Sequence, residues 1–284
     1  MSNRLLHKPP KAPEWRAVPR MDFHRLHEAR LQAHYAVQWL ARLARATIPA
    51  RPDDSHINLG WDHAFGGLVT HPLPDGSRLG LRIADLTLVF LDKSPAELPL
   101  DGRADTEVRV WLAGQMAARG LKGDLSAPLT YDLPHHVLEL GARYSLEELV
   151  PAFGVMAVWF ANGHDILEYV RSKLAGKKLG GPTARCWPHH FDMDVIVSFG
   201  RDQGMGVGFS PGDTYCDEPH FYLTIYPEPS IPGLPLLPAV GYWHTYKFLA
   251  AIAPAHKVVA ATSPMGYCEN FFDVAIGGAL AARK

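Results

Sequence analysis

The chain is poor in cysteine, with three among 284 residues, Cys186, Cys216 and Cys268, and no C-x-x-C pair. Odd in number and widely spaced, they suggest neither a disulfide framework nor a thiolate zinc site, and a reducing, cytoplasmic compartment fits them best. Charge of one sign is also lacking. The 28 basic residues stand against 29 acidic ones, for a formal net charge of -1, which argues against the overall basic footprint of a nucleic-acid-binding protein. The longest apolar stretch, near 236–261, is broken by His244, Lys247, His256 and Lys257, so no membrane span is expected. The N-terminus carries no signal-peptide hydrophobic region. A Walker loop, the kinase motifs and H-E-x-x-H are missing. Gly204-x-Gly206-x-Gly208 lacks the spacing of a dinucleotide fingerprint. Ser210 sits in Ser-Pro-Gly-Asp, not in the G-x-S-x-G of a nucleophile elbow.

The composition that remains is that of a globular protein, 47% hydrophobic and 20% charged. Residues 1–20, with Lys8, Lys11, Arg16, Arg20 and four prolines, read as a flexible basic arm. Asp22 can cap a long helix from Phe23, whose stripe Leu26, Ala33, Val37, Leu40 and Ala44 runs to Thr47-Ile48-Pro49. His24, His27 and His34 on that helix read as surface or core-edge residues. From His56 to Asp92 the pattern turns to short strands, with Asp75-Gly76 as a hairpin turn and Leu86–Leu91 as a buried strand. Helices are expected over Thr106–Arg119, closed by Gly120, and over Tyr144–Tyr169, where Ser145 and Glu148 resemble a capping box. A second strand-rich block covers Trp187–Tyr226. Prolines 227, 229, 232, 235 and 238 follow, and then helical pieces around Gly241–Ile252 and Tyr267–Ala282.

Strand runs divided by helices favour an α+β fold with two antiparallel blocks, with an internal duplication as one way to read the pair. The expected organisation is the arm over 1–20 and a single α+β domain over 21–230. Its strand-rich halves fall at about 50–140 and 185–230, and a proline-rich segment with C-terminal helices over 231–284 packs on it.

The densest group of chemistry-bearing residues is Cys186-Trp187-Pro188-His189-His190-Phe191-Asp192-Met193-Asp194. If Phe191–Phe199 is a strand, His190, Asp192, Asp194 and Ser198 share one face. A hairpin through Gly200–Gln203 would lead to Gly204–Phe209, whose glycines then lie beside the carboxylates as bare backbone. Glycine inside a strand often marks close approach of a ligand or another backbone. Ser210-Pro211-Gly212-Asp213 could aim Asp213 over this floor, and a third strand, His220–Tyr226, would add His220, Tyr222 and Tyr226. Two imidazoles with two carboxylates suit Zn²⁺, Mn²⁺ or Fe²⁺ with open positions. The same face reads equally as the water-facing side of an antiparallel sheet.

Several segments resemble one bacterial family: His56-x-Asn58-Leu59-x-Trp61 with Gly67-Leu68, Leu73-Pro74, Trp187 with Phe191-Asp192, and Phe221-Tyr222 with Tyr226-Pro227-Glu228-Pro229. That family is known only as a domain of unknown function. The resemblance runs in order over about residues 28–230. It implies a cytosolic bacterial protein and supplies no activity. Where the family pattern has Trp-Gly-Ser-Phe-Asp, only Trp187, Phe191 and Asp192 carry over, so His190 draws no support from it.

Three functions are open on these residues. One is a divalent-metal-dependent hydrolase with His190, Asp192 and His220 as ligands and Asp194 or Asp213 as base. Another is a non-catalytic module in which Trp187, Tyr222 and Tyr226 stack on a small molecule. The third is a partner-binding protein using the N-terminal arm and the proline run.

Overall fold

The computed structural model describes residues 11–200, 202–230, 234, 236–237 and 241–281. Among them it has five α-helices and two antiparallel sheets, an α+β fold as the sequence pattern implies. The chain forms two compact units. The first comprises Val18–Ala161 and Arg185–Asp192; the second comprises the described residues of 11–17, Asn162–Ala184 and 193–281.

In the first unit, α1 (Phe23–Thr47) begins at Asp22, whose Oδ1 accepts the His24 N–H at 2.9 Å, and ends at Ile48. The expected stripe is buried, and so are Ala29, Ala36, Trp39, Ala41 and Leu43. Small residues let the chain pack close to this helix on most sides. Its buried polar groups are therefore bonded, as burial requires. Gln32 brackets the Ser145 backbone, accepting its N–H at 3.0 Å and donating to its carbonyl at 3.1 Å. His34 and Gln38 both donate to Pro188 O, at 2.9 and 2.8 Å. His34, expected at the surface or the core edge, is thus buried.

The first sheet is a meander, β1 (Gly60–Asp62), β2 (Gly67–Val69), β3 (Arg78–Arg82), β4 (Thr87–Leu91) and β5 (Ala96–Pro99), paired in that order. The Asp75-Gly76 turn forms as read, with Gly76 at φ +83° and Asp75 Oδ1 accepting the Ser77 N–H at 3.0 Å. Helix α2 (Asp105–Ala118) buries Val108, Leu112 and Met116, and Glu107 reaches back to the Ala104 N–H at 2.9 Å. Helix α3 (Val150–Gly176) starts later than the Ser145 signature suggests. The Gln32 bracket holds Ser145 in non-helical chain. Strand β6 (Arg185–Trp187) bridges to Leu59 through Leu59–Cys186 hydrogen bonds of 2.9 and 2.8 Å.

In the second unit the strands are β7 (Asp192–Gly200), of which Met193 onward belongs here, β8 (Gln203–Ser210), β9 (His220–Tyr226), β10 (Tyr242–His244) and β11 (Ala250–Pro254). Their order is β10-β11-β9-β8-β7, so the two sheets do not share a strand order. Met193, Val195, Val197, Met205, Val207, Phe209, Phe221 and Leu223 form the buried face. Gly163 of α3 lies under the Phe209 ring, where a Cβ would come within 2.7 Å of Cγ. After α4 (Ala255–Ala260), helix α5 (Pro264–Ala281) packs on β9 and β11, with the Phe272 and Phe221 rings edge-on at 5.9 Å.

Residues 241–252, expected to be helical, instead supply β10 and most of β11. All five residues of β11 are buried, and a continuous apolar run carries no period that separates strand from helix. The described part of the N-terminal arm is docked at Arg16. Its N–H donates to Asn162 Oδ1 at 3.0 Å, its carbonyl accepts from Asn162 Nδ2 at 2.9 Å, and Nη1 lies 2.6 Å from Asp165 Oδ2. Residues 1–10 of that arm and much of the proline run lie outside the described residues.

Candidate functional site

The β7–β8 hairpin forms in the expected register. Asp194 pairs with Gly208, Ile196 with Gly206 and Ser198 with Gly204, and the three glycines pair in turn with Tyr222, Thr224 and Tyr226. Strand alternation therefore puts Asp194, Tyr222, Thr224 and Tyr226 on one face of the second unit, opposite its core. Register through β11 carries Tyr242 and His244 onto the same face. The glycine floor is not bare. A Cβ at Gly208 would fall 2.1 Å from Tyr222 Cζ, and one at Gly206 would fall 2.7 Å from Thr224 Oγ1 and 4.0 Å from Asp194 Oδ2. The glycines make room for side chains of this chain.

His190 departs from the strand geometry. Trp187 O accepts the N–H groups of His190, at 3.2 Å, and Phe191, at 2.7 Å, so Pro188–Phe191 is a turn and Phe191 has φ +56°. Phe191 turns inward and stacks on His34 with centroids 5.4 Å apart, while His190 is exposed. The His189 and His190 rings are 4.2 Å apart, and Trp187 meets His189 edge-on at 5.8 Å. Burial, then repulsion from His190, lowers the His189 pKa to about 4. His190, Asp192 and Trp187 belong to the first unit, whereas Asp194, Asp213, His220, Tyr222 and Tyr226 belong to the second. The expected metal ligands are thus divided between the units.

The chemistry gathered in the second unit centres on the loop between β8 and β9. Asp213 Oδ1 accepts the N–H groups of Tyr215, at 2.7 Å, and Cys216, at 2.8 Å, and Asp213 N–H returns to Cys216 O at 2.9 Å. This folds the loop back so that Asp213 Oδ2 stands 3.5 Å from His220 Nε2. On its other side the ring donates from Nδ1 to Glu218 O at 2.9 Å. Glu218 is held in turn by His256, with Nδ1 at 2.6 Å and the backbone N–H at 2.8 Å.

His220 is 2% exposed, and burial alone would lower its pKa. The Asp213 carboxylate, 3.5 Å from Nε2, and the neighbouring Cys216 outweigh that and push it up to about 10. Burial would raise Asp213, but the hydrogen bond and charge of His220 hold it below the usual carboxylate value. Burial, then the neighbouring Cys216, pushes the Tyr242 phenol up to about 12. Around the loop, Tyr215, His244 and Phe248 form an aromatic group with centroids 4.4 to 5.2 Å apart.

Of the expected residues, His220 and Asp213 are in direct contact, with both faces of the His220 ring nitrogens engaged. Cys216 and Tyr242 were not foreseen. The readable signal was the closeness of Asp213, Cys216 and His220 in one short loop leading into β9. Cys186 and Cys268 are fully buried, whereas Cys216 is half-exposed. Among the described residues, no helix is long and apolar enough to cross a membrane. The chain matches no family model, no curated protein and no solved structure with which it was compared.

Proposed function

We propose that the protein is a hydrolase of acyl-transfer type with Cys216 as nucleophile, His220 as its cationic partner and Asp213 holding the imidazole. The observation that carries this reading is the Asp213 carboxylate, which stands 3.5 Å from Nε2 of the buried His220 and accepts the Cys216 N–H at 2.8 Å, placing the thiol's residue and the imidazole on one side chain. A cation beside a partly exposed sulfur is the setting of reactive thiols, and a third group that orients the imidazole completes the pattern of an activated nucleophile. The Cys216 thiolate adds to a substrate carbonyl, the bond to the leaving group breaks as that group takes the His220 proton, and water, giving a proton back to His220, cleaves the thioester to the acid and the free thiolate. The Tyr242 hydroxyl, beside the sulfur, can donate to the oxyanion formed in the addition. Tyr215, His244 and Phe248 offer an aromatic surface for an apolar acyl group. A reducing compartment, in which three free cysteines persist, suits this chemistry.

The test is hydrolysis of p-nitrophenyl acetate together with iodoacetamide labelling read by intact mass. Wild type should hydrolyse the ester and take one adduct, mapped to Cys216. Cys216→Ala should lose both while keeping the native far-UV circular dichroism spectrum, and His220→Gln should slow both. Equal rates for wild type and Cys216→Ala would sink the proposal. Elemental analysis of the same preparations separates the metal-dependent version: near-stoichiometric Zn, Mn or Fe that vanishes in His190→Ala and Asp192→Asn would replace the thiol by a metal centre.

A further inference from the structure

In the first unit, the loop after α2 crosses the end of α1. Gly123 permits the crossing, because a Cβ there would lie 2.3 Å from Ala46 O. Between loop and helix is a cavity of about 260 Å³, lined by Arg42, Arg45, Ala46, Asp124, Ala127, Pro128 and Leu129. Arg42 and Arg45, three residues apart, present their guanidiniums from one face of α1. Arg42 Nη1 donates to Ala127 O at 2.8 Å and Arg45 Nη1 to Thr130 Oγ1 at 3.3 Å. Each fork therefore has further N–H donors to offer. Among the described residues, neither guanidinium forms an ion pair, and nor does Arg109 of α2, whose field reaches both Arg42 and Asp124. Burial and the Arg109 cation weaken Arg42's hold on its proton, and the Asp105 carboxylate offsets part of that.

We propose that this cavity binds a small phosphomonoester through Arg42 and Arg45. Planar guanidinium forks match phosphate oxygens in bidentate fashion. The apolar floor of Ala46, Ala127, Pro128 and Leu129 takes the carbon face of the ester. Asp124, whose Oδ1 already accepts from Ser126 N–H at 2.7 Å and Oγ at 2.6 Å, stays ionised at the rim, where it accepts a hydroxyl and rejects a second anionic group. A cation near a helix C-terminus also suits the macrodipole. That accounts for Arg45 alone; it explains neither the cavity nor Arg42 and Arg109 beside it.

The experiment is isothermal titration calorimetry of the full chain with inorganic phosphate and with glycerol 3-phosphate, against acetate at matched ionic strength. Saturable binding of both phosphates, tighter for the ester, is the expected result. Arg45→Gln should weaken it at least tenfold without moving the melting temperature in phosphate-free buffer. Ala127→Leu, which fills the cavity and leaves every guanidinium in place, should abolish ester binding. Arg42 is left intact because it anchors the loop. The proposal is overturned if wild type shows no saturable heat with either phosphate, if acetate binds as well, or if both variants bind like wild type.

Discussion

The Asp213 carboxylate ties a loop to a buried ring: one oxygen accepts the Cys216 N–H at 2.8 Å, and the other faces His220 Nε2 at 3.5 Å. A single side chain therefore sets both the path of the loop and the charge of the imidazole.

That pairing has a pH signature. The His220 pKa rises from 6.5 to about 10 on folding. The stability it supplies is full below pH 6.5 and is lost as pH rises through about 10. Asp213→Asn keeps a turn acceptor and removes the charge. Its urea midpoint should fall clearly below wild type at pH 6, and the gap should narrow between pH 7 and 10. An equal gap at pH 6 and pH 10 would show that the pair carries no linked charge.

In the first unit the sign is opposite. Burial lowers His34 to about 4, so the stability linked to it is full above pH 6.5 and declines as pH falls toward 4. His34→Gln retains an N–H donor for Pro188 O and does not titrate. Its denaturation midpoint should change less than that of wild type between pH 6.5 and 4, as followed by far-UV circular dichroism.

Gly208 and Tyr222 test how the sheet face is filled. Gly208→Ala puts a methyl where the Tyr222 ring lies, 2.1 Å from Cζ, and should cost about 1–3 kcal/mol of unfolding free energy, the usual range for overpacking. In a Tyr222→Ala background the same change should cost little, so a double-mutant cycle should return a coupling of that order. Additive effects would mean that the ring moves aside freely.

Asp22→Ala removes the side-chain acceptor for His24 N–H and should lower stability by about 1 kcal/mol, as the loss of an N-cap does. Thermal unfolding followed at 222 nm measures it.

Much of the fold can be read along the chain because its causes are local. Asp22 and Ile48 bound α1, Asp75-Gly76 turns β2 into β3, and alternation through Asp194, Gly208 and Tyr222 selects the polar face of the second sheet. Each follows from a dihedral preference or a period of two within a few residues. Alternation fails at Phe191, where a positive φ turns the ring inward and takes His190 off the strand. The competing force is burial of an aromatic against His34, which is remote in sequence.

Tertiary structure alone decided the rest. The uniform burial of β11 removes the pattern that would mark a strand, and pairing with β9 makes it one. The glycines of β8 announce room but not its occupant. Only the cross-strand partner shows that Tyr222 and Thr224 take it. Tyr242 reaches Cys216 because β10 pairs with β11 far along the chain, and the cavity at Arg42 and Arg45 exists because a loop 80 residues on crosses a helix end. Composition and period set which elements form and which faces are apolar. Which side chains meet across those faces depends on contacts between distant residues, and no local preference encodes them.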